Sequence, residues 1–448
     1  MSVTELLRLD ATAQLEALTA GRVTAVALAE AHLDAIASAQ PSLNAFIATD
    51  PERTLAAARE SDGRRKAGST GRLEGLPIAV KDNLDVAGWR TTAGMATRRD
   101  RVPATQDSVA AARLRAAGAV ILGKLSLHEA ALGADNDNPH YGACHHPRRP
   151  GYTPGGSSGG SGAAVAAHLC AAALGTDSMG SVRIPSSYCG VFGLKPSYGL
   201  VSPRGAVVVS RRLDHVGPLA RSARDLGLLL EVLSGFDVEC AESRRVLLQP
   251  ARGGSLAIGV PDLSDLAVDD DVIVAFEAGL AQLRALGHRI APLPGPTVEP
   301  GRLRRAGLLV CEAEMLVEHA EDWARRRADF SPALAGMLAW AESKSAREFA
   351  AADRLLDAGT VTMQRWLAGC DLIAWPTTPQ RAFAFGSPVP ANQADLTCLA
   401  NMSGVPALSL PLPVGETEWP IGMQLIGSIG SERTLIAVAG ALAAQRGS

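Results

Sequence analysis

Two serines stand in glycine-rich surroundings 24 positions apart: Ser157 in Gly155-Gly156-Ser157-Ser158-Gly159-Gly160, and Ser181 in Gly175-Thr176-Asp177-Ser178-Met179-Gly180-Ser181-Val182-Arg183. A serine hydroxyl is a weak nucleophile at neutral pH. It needs a base beside it and, once it has attacked a carbonyl, preorganised donors for the oxyanion. Glycine-rich backbone can point N–H groups at one spot, so the turn at 178–181 can supply nucleophile and oxyanion donors together. His128, His140, His145 and His146 fall in one long loop without metal-ligand spacing or an evident acidic partner, and make poor candidates for the base. Lys81 is the alternative. It ends the apolar run Leu76-Pro77-Ile78-Ala79-Val80, where desolvation would lower its pKa and leave a neutral amine.

The elements that must hold these residues follow from hydropathy. Residues 3–39 have helical periodicity, with Leu28, His32 and Ile36 recurring every fourth position until Pro41 stops the pattern. Residues 76–80 and 119–124 read as buried strands separated by a helix at 108–117. A helix is expected between the two serines, and 128–162 reads as a long ordered loop. Strand-like runs return at 256–260, 371–376, 407–410 and 422–427, with helices at 272–287 and 303–367 carrying Trp323, Trp340 and Trp366. This alternation predicts an α/β fold in which a mixed central sheet is covered on both faces by helices. Gly118 to Lys124 resembles a phosphate loop, but Leu125 stands where Ser or Thr would hold magnesium, which argues against nucleotide binding.

Composition bounds the function. The chain has 448 residues, 47% apolar and 20% charged, with a net charge of -3, which provides no general attraction to nucleic acid or to anionic membranes. The arginine clusters at 98–101, 302–305 and 325–327 are short, have acids nearby and read as solvated faces. The longest apolar run, 163–174, is interrupted by His168 and is too short to span a bilayer. The N-terminus lacks a basic segment followed by an apolar one, so a cytoplasmic location is expected. Seven scattered cysteines, none paired as C-x-x-C, read as reduced and mostly buried thiols.

Beyond the two serine motifs, the chain carries Leu43-Asn44-Ala45-Phe46-Ile47, Gly75-Leu76-Pro77-Ile78-Ala79-Val80-Lys81-Asp82-Asn83, Gly193-Leu194-Lys195-Pro196-Ser197, Pro376-Thr377, Asn401-Met402-Ser403-Gly404-Val405-Pro406-Ala407 and Gly422-Met423-Gln424-Leu425-Ile426-Gly427. In this ordered set the chain resembles the amidase signature family of Ser-cis-Ser-Lys hydrolases, over roughly residues 24–235 and 371–445. The resemblance implies Ser181 as nucleophile, Ser157 as bridging serine after a cis Gly156-Ser157 peptide, and Lys81 as base. It also implies that the backbone N–H groups of Ser178, Met179, Gly180 and Ser181 hold the oxyanion, and that no cofactor or metal is needed. One amidase signature domain over 1–448 is expected: an N-terminal helical layer (1–70), a signature core (71–235), a more variable helical layer (240–370) and a C-terminal part of the core (371–448).

The implied activity is hydrolysis of a small-molecule amide, with a homodimer plausible for the family. Three alternatives stay open: the glutaminase (A) subunit of a tRNA-dependent amidotransferase, which needs partner subunits; a non-catalytic scaffold in which Met179 closes the oxyanion hole; and esterase action, which the same triad supports. Met179 is the departure from the family's pattern, which most often has glycine there. Asp177 and Arg183 are expected to form a structural ion pair, Ser158 and Ser161 to cap the intervening helix, and Cys189, Met402 and Trp375 to serve mainly in packing. The pocket is expected to draw on 125–150 and 300–400.

Overall fold

The structure is a computed structural model and describes residues 2–412 and 419–445. Its frame is one mixed sheet of eleven strands: β1 (Phe46–Thr49), β2 (Pro77–Lys81), β3 (Val120–Leu125), β4 (Ala172–Asp177), β5 (Phe192–Lys195), β6 (His215–Ala220), β7 (Ala257–Pro261), β8 (Arg289–Leu293), β9 (Leu372–Pro376), β10 (Ala407–Pro411) and β11 (Gly422–Gly427). Their order across the sheet is β1-β3-β2-β4-β6-β5-β10-β11-β9-β7-β8. The trio β3-β2-β4 runs parallel, as does β9-β7-β8, and the strands between them are antiparallel.

Helices cover both faces, and the alternation along the strands shows why. On β9, Leu372 and Ala374 join the core formed with helices Ala223–Leu233, Asp270–Ala285 and Glu432–Ala444. Ile373 and Trp375, one position out of phase, enter the core of helices Pro300–Glu318, Pro332–Glu342 and Ala346–Ala368. A strand buried on both sides must be apolar at every position rather than at every second one. β2, wholly buried to Lys81, meets that demand, which is why its lysine ends inside the protein. Among the described residues no helix is long and apolar enough to cross a membrane.

Several expectations need correction. The first helical stretch is three helices, Val3–Leu6, Ala11–Thr19 and Ala25–Leu43, and the last of them runs through Pro41 to a left-handed cap at Asn44. A proline in the final turn forfeits one backbone bond and is tolerated there. The alanine-rich run between the serines is split: helix Gly159–Ala166 ends before His168, which adopts a positive φ of 61°, and β4 begins at Ala172. Strands β1, β4, β5, β6 and β8 have no counterpart in the sequence reading. Ser158 and Ser161 do not cap the helix; their hydroxyls donate to the carbonyls of Thr176 (3.1 Å) and Leu174 (2.9 Å), riveting helix to strand. A glycine helix that lies directly on β4 leaves those hydroxyls no water to bond, and the strand's carbonyls serve instead.

Candidate active site

The buried end of β2 places Lys81 Nζ 2.8 Å from Ser157 Oγ and 2.9 Å from Thr176 Oγ1, donating to both. Thr176 also accepts from Asn83 Nδ2 (3.0 Å), so β2 and β4 hold the amine from two sides. Burial pulls the Lys81 pKa down to about 7, against the opposing pull of Asp177 and Asp214. Desolvation disfavours the charged ammonium, and a half-neutral amine at physiological pH follows. The peptide Gly156-Ser157 is cis, and Ser157 is fully buried.

Ser181 sits one turn away at the C-terminal end of β4, where its carbonyl accepts from the Ser158 N–H (3.2 Å). Its hydroxyl is not hydrogen-bonded to that of Ser157 among the described residues; the backbone bond between the two serine motifs is made by Ser158, the neighbour of Ser157. The turn is shaped by Asp177, which accepts from the N–H groups of Gly180 (2.7 Å) and Val182 (3.2 Å). Asp177 also pairs with the wholly buried Arg183 (3.0 Å) and accepts from Asn401 Nδ2 (2.8 Å). Burial alone would raise the Asp177 pKa, but Arg183 and Asn401 hold it well below the usual carboxylate range. A buried carboxylate this well satisfied works as scaffold, and the expected structural ion pair is present.

This network corrects one expected oxyanion donor. The Gly180 N–H is taken by Asp177, whereas those of Ser178, Met179 and Ser181 donate to no protein acceptor among the described residues. Gly180 serves geometry: its φ is 138°, and a Cβ there would overlap Thr397 Oγ1. Thr397 Oγ1 in turn donates to the Met179 carbonyl (2.6 Å). The Ser178 hydroxyl donates to Asp214 (2.6 Å), whose pKa is raised to about 6, first by burial.

Ser181 opens onto a cavity of about 360 Å³, within the range of small-molecule sites. Its wall is mostly apolar, with Leu132, Ile184, Val209, Leu308 and Cys311 among the lining residues, and Met179 shares it without filling it. The ionisable side chains that line it lie beside partners. Arg304 pairs with Asp395 (2.6 Å), and His128 Nδ1 lies 2.8 Å from Asp135 Oδ1. His128 therefore does have an acidic partner, brought by the loop rather than by sequence spacing. His140 has one as well, Glu129 at 2.8 Å, while His146 bonds the Tyr188 carbonyl. Trp375 is wholly buried against Trp366, and the Cys189 thiol donates to the Pro154 carbonyl (3.3 Å). Thr176, Asn83 and Asp214 are not evident from sequence as parts of the site. Thr176, next to Asp177 in the second serine motif, and Asn83, two residues after Lys81 in its motif, carry a local signal, whereas Asp214 carries none. Among the described residues no group of three or more His, Cys, Asp or Glu could hold a metal ion.

A mixed sheet between helical layers, with a buried lysine bonded to one serine and a second serine lining a small-molecule cavity, has the parts of a serine hydrolase. The family model for amidases matches residues 27–436, and the chain belongs to the amidase family. It is 37% identical over 475 residues to the A-subunit of glutamyl-tRNA(Gln) amidotransferase from Bordetella avium (strain 197N), covering 94% of this chain and 93% of that one. Among solved structures it matches a vestigial protein complex bearing on the evolutionary origins of an s-triazine catabolic enzyme, with TM-score 0.90 and 32% identity over 98% of this chain and 99% of that one. It also matches 6-aminohexanoate cyclic dimer hydrolase, with TM-score 0.87 and 30% identity over 99% and 97%.

Proposed function

We propose that the protein hydrolyses a small carboxylic amide through an acyl-enzyme on Ser181. The observation that carries this reading is Lys81: buried, 2.8 Å from Ser157 Oγ, and held near neutrality by desolvation. Neutral Lys81 takes the Ser157 proton while Ser157 takes that of Ser181, whose oxygen attacks the amide carbon. The N–H groups of Met179 and Ser181, with that of Ser178, are the free donors for the resulting oxyanion. Collapse breaks the C–N bond, and the proton returns through Ser157 to the departing ammonia or amine. Water then cleaves the ester by the same relay, releasing the acid and restoring Ser181. Met179 leaves the cavity continuous with Ser181, which weighs against a closed, non-catalytic scaffold.

The relatives favour a second reading for the substrate. The identity to the A-subunit of the amidotransferase spans nearly the whole chain and supports a glutaminase role with partner subunits. The cavity favours the first reading, because its wall is largely apolar and its charged residues are already paired. A panel of acetamide, longer aliphatic amides, benzamide, urea and glutamine, assayed for ammonia release, separates the two. Turnover of uncharged amides that vanishes in Ser181→Ala supports the first. Turnover of glutamine alone supports the second, and full activity in Ser181→Ala removes Ser181 as nucleophile under either.

A further inference from the structure

Met179 meets an unusual neighbour across the cavity. A Cβ placed on Gly307, in the helix Pro300–Glu318, would stand 2.8 Å from Met179 Sδ, closer than carbon and sulfur can approach. Gly307 is therefore a notch that receives the methionine's end. The back of the notch is closed by Met402 Cε and Leu213 Cδ1, at 3.4 and 3.9 Å from the same point. Met402 is itself packed close against Gly359, where a Cβ would stand 3.0 Å from its Sδ. The Met179 backbone is fixed too, its carbonyl bound by Thr397 and the next N–H by Asp177. Only the flexible thioether can move, and the open side it faces is the cavity it lines.

We propose that Met179 is the movable end wall of the cavity and Gly307 the notch that holds it back, so that this pair sets the length of the acyl chain accepted by Ser181. The assignment rests on the amide-hydrolase reading above. Any side chain at 307 drives the thioether into the cavity and shortens it. Trimming Met179 to alanine removes three heavy atoms from the wall and lengthens it. The two changes are coupled, because without the thioether a methyl group at 307 has nothing to displace.

The test uses straight-chain primary amides from acetamide to octanamide. It measures kcat/KM in the active enzyme and dissociation constants in the Ser181→Ala background, where no turnover occurs. In Gly307→Ala, hexanamide is expected to fall about tenfold or more relative to acetamide, the scale of a crowded methylene in an apolar pocket, with acetamide itself within about threefold of the parent. In Met179→Ala, the preferred chain is expected to lengthen by about two or three carbons, a change of about tenfold or more for the longer amides. The double variant should follow Met179→Ala. It also guards against misfolding, since it relieves the only clash that Gly307→Ala creates with Met179. An unchanged chain-length profile in both single variants, in rates and in binding, overturns the assignment. So does a double variant that retains the Gly307→Ala profile. If amides bind with the expected profile but are not hydrolysed, the end-wall assignment stands and the hydrolase reading falls.

Discussion

The cavity has two walls built by different physics. On one side, the turn at 177–184 is held by a buried polar network of Asp177, Arg183, Asn401 and Thr397 that fixes the N–H groups of Gly180 and Val182 and the Met179 carbonyl. On the other, the helix Pro300–Glu318 and the segment around 389–394 present mainly apolar side chains without hydrogen bonds to hold them. Bonded networks are directional and tolerate little displacement, whereas apolar packing accepts changes of volume at modest cost. The first wall is suited to reaction geometry and the second to substrate choice. Substitutions should therefore divide: rate and stability on the polar wall, selectivity on the apolar one.

The largest effect is expected at the proposed nucleophile, where Ser181→Ala should lower kcat on the order of 10⁴-fold or more, measured by ammonia release. Lys81→Met comes next, with a loss on the order of 10²- to 10⁴-fold. Its pH profile is more telling. Burial depresses the lysine pKa to about 7 and the neutral amine is the proposed base, so parent kcat/KM should be full above that pH and fall as pH drops through it. Lys81→Met should lack this limb, and a parent profile flat from pH 5 to 9 would remove Lys81 as base.

Asp177→Asn should act on stability first. It strands a fully buried guanidinium without its counter-charge, at a cost of about 3–5 kcal/mol in urea unfolding. A change below about 1 kcal/mol would deny the network its scaffolding role. The smallest effect belongs to the apolar wall. Met337, which lines the cavity from the helix Pro332–Glu342, is the example: Met337→Ala should change KM for longer amides by about tenfold at most and leave kcat nearly unaltered, as expected when only uniform binding is lost. An equal fall in kcat would blur the division between the walls.

The two walls also differ in how far sequence reveals them. The proposed trio of Lys81, Ser157 and Ser181 stands out in sequence through its short, glycine-punctuated motifs and the family resemblance they carry, and the mixed sheet with helices on both faces follows from the alternation of apolar runs. The Gly180 N–H is misassigned from sequence because its acceptor, Asp177, turns back on its own loop, a geometry that spacing does not encode. Strand β4 reads as helix because its alanines favour that state, and pairing with β2 and β6 overrides the preference. The apolar wall is located by sequence only as the regions 125–150 and 300–400. Residues such as Arg304, Cys311 and Met337 reach the cavity through tertiary packing of separate helices, and Gly307 acquires meaning only opposite Met179.

The most direct test of the serine–lysine assignment is to label the intact protein with a small fluorophosphonate and map the adduct by mass spectrometry across pH. The expected result is a single adduct on Ser181, forming at a rate that rises with pH to a plateau above about 7 and absent in Ser181→Ala. An adduct on another residue, or equal labelling of Ser181→Ala, would contradict it.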